Sequence, residues 1–598
     1  MMDEISQKKL WNGAQAKLFL AAKTGRMKIL KDLESAGFDP MLDPFGNSLA
    51  HWAVLGGHTK VLRSLGEHCP KMLWTTNVAG QQPLHLACIM GKFKCAIFLL
   101  LQTADIEITE SRGCSPLLLA AENGHTEIAT LLLLLSANIK ATDVEENTAY
   151  HLAAKRGHDN MCSLLKKFGL KPWMITNELN QTPLHLASSG GHFNIARSLC
   201  RLPIALENQM LHTPLLHPLH IRDKEGLTPI QLADRYGWSG VVALLKDEEI
   251  RFDSLGLDYL SLHALGRKLL NSTLGKPGRR KLAALFFHAC IWLGIYPFFW
   301  FQVLHRSFSF YGRDGCRWWL LLNVPAWICY LVSTNADPGF LPQNTQNYET
   351  ALIEARNILT SLPRKLGLSH SSCPASVCKT NEYNSEPIYS LGIATGWEEY
   401  KLEVNRLKQI LTRLCHSCGC IKPLRTKHCA QCNRCVEVFD HHCPITNNCV
   451  GKRNRVWFLT FCGMVLILST WMGYMAWDAR HSMREMPWYS NLIFVVALLS
   501  GWTFSLTTFS NGVQYAATNL TTNETINWSR YEYLHKKKPK GFHNPFDRGI
   551  VRNLLNYFGF GPEIENYMTF SPSRGTNFGS NLKSISSKNV DSSDPYVV

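Results

Sequence analysis

Between Cys415 and Cys449 the chain carries eight cysteines and four histidines around the run Asp440-His441-His442-Cys443-Pro444. A structural zinc takes four Cys/His ligands in a tetrahedron, so two zincs would use eight of these twelve groups. The remainder includes a cysteine, Cys443, with His441 two residues before it and Asp440 just ahead of that histidine. A thiol, a base and a group that orients the base are the components of nucleophilic catalysis. The cluster therefore reads as a zinc scaffold that holds a reactive cysteine.

The spacing divides the ligands into two interleaved sets, each of three cysteines and one histidine. Cys415, Cys418, His428 and Cys435 are expected on one zinc, and Cys429, Cys432, His442 and Cys449 on the other. Neighbours on an extended strand project to opposite faces, so His442 can ligate metal while His441 faces a thiol. Spacing alone leaves a plainer alternative in which every one of these residues binds zinc or stands idle.

The stretch CHSCGCIKPLRTKHCAQCNRCVEVFDHHCPITNNCVGKRNRVWF resembles the cysteine-rich domain of the DHHC protein S-acyltransferases, the palmitoyltransferases. Four more elements fit that resemblance. They are Asp337-Pro338-Gly339, Asn454 with Phe458, Thr521-Thr522-Asn523-Glu524, and Asn544-Pro545-Phe546 with Gly549 and Asn553. The resemblance implies a two-step reaction: Cys443 takes an acyl chain from a fatty acyl-CoA and passes it to a cysteine of a substrate protein. A free thiol with a pKa of about 8.5 is mostly protonated at neutral pH, so a neighbouring base is needed. His441 suits that role, and Asp440 suits the task of fixing its tautomer. By the same resemblance Thr522 packs on the Asp440 side and Asn553 holds the tail against the core. One departure stands out: Ile445 occupies the place of the family's Trp, which borders the acyl cavity, so acyl-length preference is the property expected to differ.

At 598 residues the chain is too long for one core. Eight of its 20 cysteines fall in one short window, which is zinc usage and not a secreted disulfide framework. The net charge of +16 arises partly from basic clusters beside apolar segments, such as Lys276 with Arg279, Arg280 and Lys281. That pattern signals membrane topology and argues against a nucleic-acid partner. Four apolar stretches, 282–304, 318–335, 457–477 and 491–509, contain no Lys, Arg, Asp or Glu. Each approaches the ~20 residues that cross a bilayer. Four spans place both termini and the zinc domain in the cytosol, in an endomembrane such as Golgi, ER or vesicle. The sequons at Asn271, Asn519, Asn523 and Asn527 are then cytosolic and silent, and no signal peptide is expected.

Before residue 250 a motif like Thr-Pro-Leu-His-Leu-Ala recurs, as at Gln82–Ala87 and Thr182–Ala187. Its fourth positions, Phe19, His51, His85, Leu118, His151, His185 and Gln231, lie 32 to 34 residues apart until an insertion before the last. That period is the ankyrin signature, and about seven stacked helix pairs would share one core. The recurring histidines are expected to cap helices and bond to neighbouring loops, not to bind zinc. Trp52 is expected to pack, with a docking role as the alternative.

The expected architecture is an all-α ankyrin solenoid followed by a four-helix transmembrane domain, with a small zinc-stabilised cysteine-rich β-hairpin domain on the cytosolic side. The boundaries are 13–250 for the repeats, 251–281 and 336–413 for linkers, 414–456 for the cysteine-rich domain, 510–570 for the C-terminal motifs and 571–598 for a disordered tail. Expected cofactors are two structural zinc ions, with acyl-CoA as substrate. Expected partners are membrane lipids, substrate proteins on the repeats and a PDZ domain at the C-terminal Val598.

Overall fold

The structure is a computed structural model that describes residues 13–27, 42–102, 104–173, 175–200, 218–255, 321–365, 396–478, 488–536 and 541–560. The apolar stretch 282–304, the start of the next one, Asn271, Cys373, Cys378 and the C-terminal tail lie outside these residues.

The chain divides into two compact units. In the first, helix pairs follow the sequence period: Leu49–Gly56 with Thr59–His68, Pro83–Ile89 with Phe93–Leu101, Pro116–Glu122 with Thr126–Leu134, Ala149–Arg156 with Asp159–Lys167, Pro183–Ser189 with Phe193–Cys200, and Pro229–Arg235 with Ser239–Leu255. A further first helix, Gly13–Thr24, precedes them. No single pair can cover its own apolar face, and one continuous buried core runs from Leu18 to Leu245 through all of them.

The motif histidines behave as the pattern predicts. The backbone N–H of Ser48 donates to Nδ1 of His51 (3.0 Å), and Nε2 of His51 bonds to the Gln81 carbonyl of the next repeat (2.9 Å). His85, His151 and His185 repeat the arrangement on the carbonyls of Ile108, Gln181 and Ile221. This is a capping box with histidine in the usual Glu position, extended into a tie between repeats. Burial lowers these imidazoles, His151 to about 4, despite the backbone bonds that favour protonation. They are neutral structural groups.

A second ladder was not anticipated. His125, His158 and His192, which open the second helices, bond to the carbonyls of Ile89, Glu122 and Lys155 one repeat earlier. Gly91, at φ +66°, leaves the space this needs: a Cβ there would stand 2.5 Å from the His125 ring. Trp52 is half-buried; its Nε1 donates to Asp43 (3.0 Å) and its ring meets Phe19. Its contacts are those of packing.

The segment expected as a linker after residue 336 is more structured than its composition suggests. It carries two helices, Gln346–Lys365 and Trp397–Arg413. The two pack together, and Trp397–Arg413 lies on the second helices of two repeats, Phe93–Leu101 and Thr126–Leu134. Trp397 meets Phe98 edge to face, and the Arg63 guanidinium sits 4.8 Å over the Trp397 ring. The Tyr348 hydroxyl hydrogen-bonds with His416 Nδ1 at the start of the cysteine-rich segment (2.7 Å). This part of the chain is a wall of the repeat domain, not a spacer, because its apolar face joins the same core.

The second unit contains helix 321–335, the long helices Arg455–Asp478 and Trp488–Thr518, and the C-terminal motifs. Among the described residues one helix, Arg455–Met475, is long and apolar enough to cross a membrane by itself. The four-span expectation thus has one span of that kind here. Trp488–Thr518 packs along Arg455–Asp478. Gly463 opposite Phe509 and Gly512 opposite Leu459 allow the close approach, since a Cβ at either would clash.

The cysteine-rich segment folds as three short antiparallel hairpins: β1 (Leu414–Cys415) with β2 (Cys420–Ile421), β3 (Lys427–Cys429) with β4 (Arg434–Val436), and β5 (His441–Cys443) with β6 (Asn448–Val450). Strands this short have little core of their own, so cross-links must hold them.

Candidate active site and metal clusters

The hairpins bring together the two ligand sets that spacing predicted. Ligand atoms of Cys415, Cys418, His428 and Cys435 all lie within 4.8 Å of one another, and so do those of Cys429, Cys432, His442 and Cys449. A tetrahedral zinc with Zn–S near 2.3 Å and Zn–N near 2.0–2.1 Å requires sulfur and nitrogen about 3.6 Å apart. His428 Nδ1 stands 3.5, 3.3 and 3.9 Å from the sulfurs of Cys415, Cys418 and Cys435. His442 Nδ1 stands 3.6 Å from Cys449 Sγ, its direct partner across β5 and β6. Both donor sets fit zinc.

Adjacent positions on β5 do split between two tasks. His442 turns to Cys449, whereas His441 Nδ1 bonds to Asp440 Oδ2 at 2.6 Å. Cys443 stands two residues along β5 from His441, and its thiol is one of the groups that favour the charged imidazole. Phe458 packs edge-on against the His441 ring, with centroids 5.3 Å apart. Asp440 is held from the far side by Thr522, whose N–H reaches Oδ1 (2.6 Å) and whose hydroxyl reaches Oδ2 (2.9 Å).

These bonds set the protonation of the site. Burial works against the Asp440 carboxylate, but the bonds from His441 and Thr522 outweigh it and hold the carboxyl below its ordinary range. Burial alone would lower His441, yet Asp440 and Cys443 push it up to about 9. Burial, the largest single influence, raises the Cys443 thiol, but His441 and Thr446 together outweigh it and lower the thiol below its ordinary range. Each shift favours a thiolate beside an imidazolium, the reactive form of a cysteine nucleophile.

Residues beyond Asp440, His441 and Cys443 hold this geometry. Thr521 caps the helix Thr522–Ile526 with Glu524 in a reciprocal box, which aims the Thr522 N–H outward. Glu524 receives a two-pronged ion pair from Arg425, at 2.8 and 2.7 Å. Arg425 also stacks on Phe546, 4.4 Å from the ring centroid. Lys427 donates to Asn523 (2.8 Å). Glu524 stood within a quoted motif, but nothing in the local pattern marked Arg425.

The hairpin that carries Cys443 is anchored as well. Asn448 donates to the carbonyls of Ser333 (3.2 Å) and Ala336 (2.9 Å), and Asn454 to that of Cys449 (2.8 Å). Asp337 of the Asp-Pro-Gly turn pairs with Arg453 (2.8 Å). Asn553 is buried and donates to Ala517 and Asp547, both at 2.7 Å, so it fastens the C-terminal helix Ile550–Tyr557. Ile445 is half-buried beside Cys443, and its carbonyl accepts from Tyr330 (3.3 Å).

Known proteins match both parts of the chain. Residues 408–529 match the DHHC palmitoyltransferase family, and residues 18–110 and 117–210 match ankyrin repeats. The chain is 38% identical over 154 residues to Palmitoyltransferase ZDHHC12 of Homo sapiens, covering 24% of this chain and 55% of that protein. It is 24% identical over 330 residues to Palmitoyltransferase Hip14 of Drosophila melanogaster, covering 52% of this chain and 42% of that protein. It is 39% identical over 167 residues to Probable protein S-acyltransferase 23 of Arabidopsis thaliana, covering 25% and 30%. The match therefore spans about half, or less, of these relatives' own lengths.

Proposed function

We propose, since this chain belongs to the DHHC palmitoyltransferases and carries ankyrin repeats, that it is a membrane protein S-acyltransferase working through a thioester on Cys443. The observation that carries this reading is the Asp440–His441–Cys443 chain, braced by Thr522.

The Cys443 thiolate attacks the carbonyl carbon of a fatty acyl-CoA, forming a thioester. The C–S bond to coenzyme A breaks, and the leaving thiolate takes the proton from His441. In the second step a substrate cysteine gives its proton to His441 and attacks the thioester, which frees Cys443. Asp440 holds His441 in one tautomer and stabilises it when charged. Each set of three cysteines and one histidine would hold a zinc ion, which would supply structure and no chemistry, tying together hairpins too short to stand alone.

Lipid contact is supported by apolar side chains that point away from the protein. They include Leu321, Val324, Ile328 and Leu331 on one helix and Val496, Leu499 and Phe504 on another. Substrate recruitment by the repeats is supported by exposed apolar tips, Phe45, Val78, Val144 and Leu179, on four of the inter-repeat turns. A Golgi, ER or vesicle membrane with the zinc domain on the cytosolic side fits this reading.

The test is autoacylation. The purified protein incubated with an alkyne fatty acyl-CoA should acquire a label that neutral hydroxylamine removes. Cys443→Ser should lose the label and keep its zinc. An unlabelled wild-type protein would favour a silent scaffold, and a labelled Cys443→Ser variant would move the chemistry elsewhere.

A further inference from the structure

The first zinc set has a neighbour that no ligand assignment uses. Cys420 is 2% exposed and shares one buried cluster with Cys415, Cys418, Cys435 and Leu341. It pairs directly with Cys415 across β1 and β2. Directly opposed residues in an antiparallel pair put their side chains on the same face, with Cβ atoms about 4.5–5.5 Å apart. Cys420 and the three cysteine ligands of this set therefore line one buried cluster, with Cys420 on the face that Cys415 presents.

The histidine of the same set is its least anchored member. A zinc-bound histidine almost always donates its other ring N–H to a carboxylate, carbonyl or water, which fixes the ring. His428 offers Nδ1 to the sulfurs, but its Nε2 is buried with no hydrogen-bond partner among the described residues. A fifth cysteine thus stands beside the set, whose imidazole lacks a partner for its outer nitrogen among the described residues.

We propose that Cys420 is a fifth protein ligand of the first zinc site, able to replace His428 and so convert a centre of three thiolates and one imidazole to one of four thiolates. In the exchange the Zn–N bond to His428 breaks and a Zn–S bond to Cys420 forms. The Cys420 thiol proton passes to the released imidazole, so charge and protons balance. The inference rests on the two zinc sites proposed above but not on acyl transfer.

Metal content of the purified full-length protein tests it. Wild type and Cys420→Ala should each hold two zincs. His428→Ala should also hold two, whereas the double variant His428→Ala/Cys420→Ala should hold one. Cobalt substitution gives a second readout: the thiolate-to-cobalt charge-transfer band should strengthen in His428→Ala, because a fourth sulfur enters the shell. His442→Ala supplies the comparison at the second site and should hold one. A wild-type protein without two zincs would defeat the metal reading itself. Two zincs in wild type but one in His428→Ala would overturn the role of Cys420 alone, as would two zincs in the double variant.

Discussion

Arg425 and Glu524, 99 residues apart in sequence, form a two-pronged ion pair whose side chains are 4% and 2% exposed. It joins the start of the cysteine-rich hairpins to the helix turn that carries Thr522. Through Thr522 the pair reaches Asp440, and through Asp440 it reaches the imidazole beside Cys443.

Removing one partner of a buried pair leaves an uncompensated charge and typically costs about 3–5 kcal/mol. Glu524→Gln keeps an acceptor for the Thr521 N–H but removes the charge, so it isolates that effect. We expect a clearly lower thermal midpoint and slower autoacylation, measured by scanning calorimetry and by thioester labelling. An unchanged midpoint would show that Arg425 finds another partner at no cost.

Thr522→Ala deletes one bond to the Asp440 carboxylate and leaves the backbone N–H bond in place. A hydrogen bond to a charged group contributes about 1.5–3 kcal/mol. At about 1.4 kcal/mol per tenfold in rate, autoacylation should fall between about tenfold and a hundredfold with zinc content unchanged. Thr522→Ser should recover most of the loss. A slow Thr522→Ser would assign the effect to packing of the methyl group instead.

Ile445 stands where the family's Trp is expected, next to the nucleophile and with its carbonyl held by Tyr330. Ile445→Trp adds volume at that point, and overpacking costs about 1–3 kcal/mol. The penalty should grow with acyl length, so a chain-length series should shift toward shorter acyl-CoAs without loss of all activity. Identical profiles for both proteins would place Ile445 outside the acyl path.

Three of the sequons sit on side chains already committed to the fold. Asn519 Nδ2 donates to Phe546 (3.0 Å), Asn523 Nδ2 to Tyr531 (2.5 Å) and Asn527 Nδ2 to Asn523 (3.2 Å). A glycan on any of these nitrogens would break its bond. We expect no mass shift on glycosidase treatment of the protein from native membranes. A glycan at Asn519 would overturn both the cytosolic placement and this packing.

The sequence by itself determined whatever is local and repeated. The ankyrin period follows from a motif that caps its own helix within three residues. The two ligand sets follow from short hairpins whose loops set the spacing between cysteines. The division of tasks between His441 and His442 is legible because neighbours on one strand must alternate faces, whereas the roles of Asp440 and Cys443 follow from the resemblance.

Only the tertiary structure decided what crosses long separations. Thr522 meets Asp440 over 82 residues, Arg425 meets Glu524 over 99, and Tyr330 meets Ile445 over 115. The segment after residue 336 reads as a linker until its two helices are seen against the repeats. The spare thiol of Cys420 declares itself only when β1 and β2 pair. Such contacts leave no spacing signature, because each depends on how separately formed elements pack once their apolar faces have been removed from water.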